Sequence, residues 1–410
     1  MPGMHHQHTP EMSAMNMTPP SLSESLEQHA AGGTDVAPSS TPSPMLMKDK
    51  DGWMLMLHGV AFLNDIQQSG PRGSGKLFST NWLMPMAQRK LGNGTFTARA
   101  MFSLEPASVT SRRYPELFQQ GETAYGRALI DGQHPHDFVM ELAAMYDYKA
   151  GEKTLLSFYA APVGAPALGP MAYPHRESSA ENPLAPLGHH LQDSTHIAGD
   201  VVTLGFTHRS VRVEASGFHG REPDENRWNI DSGRIDSWSA RVTVNPAKNW
   251  SAQYSIGQLH SPEALAVNED VRRMTASIAY NRRFAKGNWA SLLAWGRNQS
   301  LSDGNVGNGY LVESTLQFLT RNRVWTRIEN VDRTNELLLN GTTPPAAFAE
   351  RYFARVQAYT AGYDREVGSW RHLSTAIGGQ FTAFGVDDKL KATYAEHPVA
   401  GLVFLRVRLK

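Results

Sequence analysis

The first 47 residues concentrate side chains that bind soft metal ions. They contain seven of the sixteen methionines and four of the sixteen histidines of the chain. Thioether sulfur is a soft ligand for Cu(I), and imidazole suits Cu(II), so this composition predicts binding of copper or silver ions. The alternative is a low-complexity linker without a metal role. The candidate ligands are Met4, His5, His6, His8, Met12, Met15 and Met17.

A second group of candidate ligands lies in two polar segments further along the chain. The spacings His-x-His and His-x5-His are compatible with a borderline transition-metal site. We expect the two segments to converge at the outer rim, close to His175. A polar network that locks the loops without metal is the alternative. The group comprises His134, His136, Asp137, His189, His190, Asp193 and His196.

Nucleophilic catalysis has weak support in the sequence. Ser157 or Ser194 could pair with a nearby histidine and aspartate, but neither serine has a recognisable nucleophile setting. We therefore predict no catalytic residue, and we expect that the protein is not an enzyme.

Methionines also recur on one face of the first predicted strands. Met54, Met56 and His58 alternate with Trp53, Leu55 and Leu57, and side chains two residues apart share a face of a strand. We predict that these side chains form a row of soft ligands along one wall of the lumen. The alternative is that the methionines point into lipid. The predicted row is Met54, Met56, His58, Met84, Met86, Met101 and Met145.

Charged residues occupy the polar faces of many predicted strands. In residues 237–244, for example, Arg241 shares a face with Ser237 and Ser239, opposite Trp238 and Val242. Mid-strand charges suit a wet lumen better than any exterior surface. The predicted lumenal residues are Arg99, Arg212, Glu214, Arg241, Arg273, Glu313, Arg327, Glu329 and Arg355.

These segments belong to a regular rotation of tight turns and long polar loops. Seven turns alternate with eight loops, which predicts an all-β fold, a sixteen-stranded antiparallel up-and-down transmembrane barrel over residues 51–410. Residues 1–50 are polar and rich in proline and serine, so we predict a disordered periplasmic tail that contributes nothing to the barrel. The predicted turns are at 91–94, 149–152, 207–210, 245–249, 285–288, 320–323 and 366–369.

Composition agrees with an exported barrel. No run of eighteen apolar residues exists, and the mean hydropathy is −0.41, as expected when strands cross the membrane. The absence of cysteine fits an oxidising compartment. Zero net charge without a basic stripe argues against nucleic-acid binding. Residues 1–5 do not form a charged and apolar leader, so we expect the start to be trimmed or misassigned.

Four sequence blocks carry a resemblance to known proteins. They are Gln133–Phe138, Gly188–Asp193, Gly220–Trp228 and Ser261–Leu265. Through these blocks the barrel resembles a family of uncharacterised bacterial outer-membrane β-barrels of porin-like type. The Met/His-rich tail is similar in composition to copper-resistance outer-membrane proteins. The resemblance implies a Gram-negative outer-membrane location but carries no assigned activity.

Together these features predict a porin-like channel or transport barrel linked to copper or other heavy metals. The alternatives are a lipid-modifying enzyme of the outer leaflet and a barrel whose loops bind a partner. No cofactor is required, although copper or silver ions could bind. The expected partners are outer-membrane lipid, the barrel-assembly machinery, and small polar solutes or metal ions. An open lumen would exclude the enzyme, and a filled lumen would exclude a porin with an open aqueous pore.

Overall fold

The computed structural model describes residues 22, 23, 26, 31–110, 113–124, 126–267, 269–339, 342, 345 and 348–410. Over these residues the chain forms a closed antiparallel barrel of sixteen long strands, as predicted. The barrel closes where Val60–Gln68 of the first strand pair with the last strand. The strands are β1 (Trp53–Gln68), β2 (Gly75–Leu91), β3 (Gly94–Phe102), β4 (Val139–Gly151), β5 (Thr154–Gly164), β6 (Ala198–His208), β7 (Val211–His219), β8 (Ser237–Ala247), β9 (Trp250–Leu259), β10 (Val271–Phe284), β11 (Gly287–Ser300), β12 (Val306–Phe318), β13 (Asn322–Thr334), β14 (Tyr352–Trp370), β15 (Leu373–Val386) and β16 (Val399–Leu409).

Short turns connect the strands at one end, and long loops connect them at the other. We call these the turn end and the loop end. The first six turns fall within or beside their predicted ranges. The seventh prediction, at 366–369, is wrong, because β14 continues to Trp370 and the turn is formed by Arg371 and His372. Gly368 instead follows a bulge in the pairing of β14 with β15, a common role for glycine within a strand.

The barrel is apolar outside and polar inside. Phe206 on β6 leaves 47% of its surface exposed, whereas the inward-facing Arg212 on β7 is 1% exposed. An apolar exterior with a polar interior is typical of barrels that face lipid. A soluble β-sandwich has the reverse arrangement, with its apolar side chains inside. Among the described residues, no helix is both long and apolar enough to span a membrane. Other exposed apolar side chains on the strands are Leu55, Leu63, Phe158, Leu204, Trp238, Val242, Ile278, Leu293, Val312, Ile328, Tyr359, Ile377 and Val403.

The loops carry only short elements. Their helices are α1 (Glu105–Ser108), α2 (His189–Gln192) and α3 (Asp388–Tyr394). Short 3-10 turns span Tyr173–His175, Ser194–His196 and Asn335–Leu339. Within the loop between β3 and β4, Tyr114–Pro115 pairs with Gly132–Gln133, and Glu122–Ala124 pairs with Arg127–Leu129.

Apolar side chains fill the barrel near the loop end. Phe118 and Tyr394, from two different loops, pack together with Val356, which points inward from β14. Arg355 therefore faces outward, and the prediction that it is lumenal is wrong. Its side chain is 43% exposed and pairs with Asp332 at 2.6 Å. The inward face of this part of β14 is apolar because loops, rather than water, cover it.

The predicted disordered tail extends too far along the sequence. Residues 31–45, which we call the N-terminal plug, lie inside the barrel at the turn end. Glu141 of β4 accepts a hydrogen bond from the Gly33 amide at 2.9 Å, and Asp35 pairs with Arg241 of β8. Leu46–Lys50 then forms a short strand along β1. A segment that cannot bury a core of its own is ordered here because the polar wall supplies its partners.

The loop between β5 and β6, residues 165–197, also fills the lumen, and we call it the lumenal loop. Arg176 in this loop donates to Glu313 of β12 at 2.7 Å. Arg273 of β10 donates to the His190 carbonyl at 2.6 Å. Arg327 of β13 donates to a carbonyl of the same loop at 2.9 Å. The lumenal loop is thus tied to the wall opposite its own strands.

Candidate functional site

Most of the charged residues predicted to line the lumen lie inside the barrel and pair with other groups of the protein. Eight of the nine are buried, and Arg355 is the exception described above. Arg99 pairs with Glu141 at 2.7 Å, and Glu214 lies 3.0 Å from both Arg212 and Arg241. The Gly188 amide of the lumenal loop donates to Glu329 at 3.2 Å. These charges therefore anchor the plug and the lumenal loop instead of lining an open aqueous path.

Methionines form a buried cluster on the lumenal wall of β1 to β4, which we call the methionine cluster. Six of its nine buried members are methionines, and each is at most 5% exposed. On adjacent strands, Met56 stands opposite Met86, and His58 stands opposite Met84. The six are Met45, Met56, Met84, Met86, Met101 and Met140.

The predicted methionine row and the observed cluster share four methionines, and each has two that the other lacks. Met54 is only partly buried and packs against the outside of the cluster. Met145 packs elsewhere, with Tyr159 and Phe218. Met45 and Met140 join the cluster although they were not in the predicted row. Met45 reaches it because the plug crosses the lumen, a placement that the strand pattern cannot reveal.

Two histidines flank the methionine cluster. His175 of the lumenal loop brings Nε2 to 3.1 Å from the Met101 sulfur. The indole of Trp82 lies between His58 and His175, with ring centroids 4.7 and 4.6 Å away. Nδ1 of each histidine is buried without a hydrogen-bond partner in the described structure. Sulfur and unpaired imidazole nitrogen together form a ligand set that suits a soft metal ion.

The histidines predicted at the rim converge within the barrel mouth. The ring of His196 lies 5.4 Å from that of His136 and 5.3 Å from that of His189. His189 continues to His190 at 5.2 Å. Both histidine segments thus meet in one continuous row of imidazoles that joins the lumenal loop to the loop between β3 and β4.

Carboxylates hold two of the rings in this row. Glu105 accepts a hydrogen bond from the His136 amide at 2.9 Å and lies 3.0 Å from its Nδ1. Asp193 lies 2.8 Å from His189 Nδ1 and pairs with Arg176 at 2.7 Å. Asp137 does not join the row and instead pairs with Arg227 at 3.3 Å.

A further group forms around Glu122 at the loop end, where the row of imidazoles ends at His190. Glu122 lies 2.9 Å from His190 Nε2 and also pairs with His134. On the other side of the ring, Glu222 lies 3.6 Å from His190 Nδ1. Sequence reasoning missed both glutamates and Glu105. Glu105 and Glu122 lie in the loop that contains His134 and His136, and Glu222 lies in the sequence block Gly220–Trp228. These positions were their only signal.

Burial and neighbouring charges set the ionisation of the loop histidines. Burial, followed by the positive charges of His189 and His136, lowers the pKa of His196 to about 3. Burial also holds the pKa of His175 well below its usual range. For His190, Glu122 and Glu222 outweigh burial and raise the pKa to about 10. At neutral pH the rings of His175 and His196 are therefore neutral and keep a free lone pair.

The two serines considered as nucleophiles have other partners. Ser157 donates to Asp147 at 2.5 Å and accepts from Arg212 at 3.0 Å. Ser194 accepts from Arg273 at 2.8 Å. Neither hydroxyl bonds to a histidine in the described part of the chain. The predicted tail ligands Met4, His5, His6, His8, Met12, Met15 and Met17 lie outside the described residues.

Comparison with known proteins identifies the architecture. The sequence matches no protein-family profile and none of the curated proteins with which it was compared. The structure is similar to an anion-selective porin from Comamonas acidovorans, with a TM-score of 0.55 and 12% identity, over 87% of this chain and all of the porin chain. It is also similar to OmpF of Salmonella typhi in a complex with daunomycin, with a TM-score of 0.50 and 13% identity, over 89% of this chain and all of the other. These similarities show that the chain has the sixteen-stranded barrel fold of bacterial porins.

Proposed function

We propose that this protein is an outer-membrane channel of the porin type that binds soft metal ions, Cu(I) or Ag(I), in the methionine cluster. The observation that carries the proposal is the 3.1 Å approach of His175 Nε2 to the Met101 sulfur, within a cluster dominated by methionines. Thioether and imidazole ligands select Cu(I) over hard cations. Leucine or valine would fill an apolar space equally well, whereas methionine adds a ligand atom.

An outer-membrane location is supported by the apolar exterior and by the likeness to porins. In such barrels the short turns face the periplasm and the long loops face outward. This orientation would put the N-terminal plug and the Met/His-rich residues before it on the periplasmic side. The same proposal includes insertion by the barrel-assembly machinery and contact with outer-membrane lipid. It also includes binding of copper by the first 21 residues.

The filled lumen supports a selective channel rather than a general porin. Asp35 of the plug and Arg176 of the lumenal loop both pair with charges on the wall. A wide aqueous pore needs a lumen free of such segments. We infer that ions pass only when the plug or the lumenal loop moves, and that small polar solutes follow the charged wall only in that state.

Silver binding by the variant Met84→Leu/Met101→Leu tests this proposal. Leucine nearly conserves the volume of methionine and removes the sulfur, so the barrel should stay folded. The purified full chain should bind at least one Ag⁺ ion fewer than the wild type. Met145→Leu is the matched control, since Met145 is equally buried but lies outside the cluster. Unchanged Ag⁺ stoichiometry in the double variant would refute the proposal.

A further inference from the structure

We propose that Glu122, His190 and Glu222 form a second metal site, for a divalent transition-metal ion such as Zn²⁺, at the loop end of the barrel. The site is separate from the methionine cluster and does not depend on the proposed function. One ligand atom from each residue lies within 4.8 Å of the others, so small side-chain movements would bring all three to a common ion. The site is empty.

The donor types determine the class of ion. Two carboxylates and one imidazole are oxygen and nitrogen ligands, which suit Zn²⁺ and Cu(II) and not Cu(I). His134 pairs with the second oxygen of Glu122. A carboxylate that binds metal is commonly oriented by such an outer partner. His134 therefore acts as a positioning residue for Glu122.

The His190 ring has the surroundings of a ligand more than those of a packing residue. His190 is 8% exposed, and neither of its ring nitrogens makes a well-oriented hydrogen bond in the described structure. Carboxylate oxygens nevertheless lie on both sides of the ring, 2.9 and 3.6 Å away. Without an ion, these two carboxylates stabilise a proton on the ring. A metal ion bound at Nε2 or Nδ1 would replace that proton and use the same carboxylates as further ligands.

The backbone beside Glu122 is shaped to admit this ring. Gly121 has a φ of +99°, which favours glycine. A Cβ at this position would come within 3.0 Å of His190 Cγ. The absence of a side chain at Gly121 thus allows Glu122 to approach the imidazole closely. The close approach is a specific property of the fold at this point.

A cavity of about 320 Å³ at the loop end leads to the site, and both glutamate ligands line it. Glu263, Glu269, Glu336 and Glu350 also line the cavity. Arg351, which pairs with Asp303, lines the cavity as well. The cavity gives an ion from solution a direct path to Glu122 and Glu222.

Zinc binding by the full chain in detergent tests the site. In Glu222→Gln and His190→Gln, Zn²⁺ occupancy should fall by one ion per chain relative to the wild type. In His134→Gln we expect about 10–100-fold weaker affinity at this site, the usual effect of removing an outer partner. Histidines in the first 21 residues contribute equally in every variant, so the difference between variants reports the site.

His260→Gln is the matched control, because His260 also pairs with a carboxylate at the loop end, Asp270 at 2.7 Å, but is about half exposed. Heat-modifiable migration on gels should show that each variant is folded. Glu222→Gln preserves the shape of the side chain, so it should fold even if His190→Gln does not. Zn²⁺ occupancy that is equal in wild type and Glu222→Gln would overturn the proposal, as would loss of one ion in His260→Gln.

Discussion

Arg176 is the main tie between the lumenal loop and the barrel wall. Its guanidinium is 3% exposed and lies 2.7 Å from both Glu313 and Asp193. Replacement by methionine would leave two buried carboxylates with weaker partners. Glu313 would keep Arg327 at 3.5 Å, and Asp193 would keep His189 at 2.8 Å. We therefore predict that Arg176→Met opens the lumenal loop without unfolding the barrel.

The size of the effect follows from the cost of breaking a buried ion pair. Removal of one partner typically costs about 3–5 kcal/mol, and the remaining partners of Glu313 and Asp193 favour the lower value. About 3 kcal/mol corresponds to roughly a 150-fold change in the ratio of closed to open loop, since about 1.4 kcal/mol gives a factor of ten. The loss falls on the loop, because strand pairing in β12 does not involve the guanidinium.

Conductance across a planar lipid bilayer measures this opening directly. Arg176→Met should show far more frequent open events than the wild type, and a protease should cut the lumenal loop faster. Arg355→Met is the control, because its half-exposed pair on the outer face is worth only about 0–1 kcal/mol. If Arg176→Met and wild type conduct equally and resist protease equally, the lumenal loop is not the barrier.

Two further predictions concern the segments that fill the barrel. Burial would raise the pKa of Asp193, but Arg176 and His189 outweigh burial and hold the pKa well below its usual range. The ionised Asp193 should therefore anchor the lumenal loop fully above about pH 4, and the anchoring should weaken as the pH falls further. Pepsin at low pH should cut the wild-type lumenal loop increasingly, whereas Asp193→Asn should be cut readily throughout, and identical pH profiles would contradict the assignment. The natural chain contains no cysteine, so a cysteine introduced at Val36 of the plug would be its only thiol. This thiol should react slowly with thiol reagents, because the plug is anchored inside the barrel. Adding Asp35→Asn should speed labelling by about 5–150-fold, corresponding to about 1–3 kcal/mol for a buried group left unpaired, and an unchanged rate would show that the plug is not held by Arg241.

The barrel was predictable because its signals are local. A period of two along each strand and the rotation of turns and loops fix the strand number and the inward face. The charges on β3, β7 and β8, such as Arg99, Arg212 and Arg241, lie where the alternation places them. Arg355 breaks the rule because loops cover the inner wall of β14, and an apolar inner face is then favourable.

The contents of the lumen could not be predicted in the same way. Residues 31–45 have a composition typical of disorder, yet the buried walls supply partners for their backbone, such as Glu141 for the Gly33 amide. The lumenal loop likewise depends on contacts that span more than a hundred residues, as from Arg176 to Glu313. No local pattern encodes such contacts. The histidine blocks revealed where ligands would gather, but not the glutamates that complete the group.

Observation of the methionine methyl groups during silver titration tests the central claim most directly. The full chain in detergent, labelled with ¹³C at methionine methyls and assigned with single Met→Leu variants, would be titrated with Ag⁺. We predict that Met84, Met86 and Met101 shift together, and that Met145 does not shift. A response confined to methionines in the first 21 residues, with the buried cluster unaffected, would contradict a soft-metal site in the lumen.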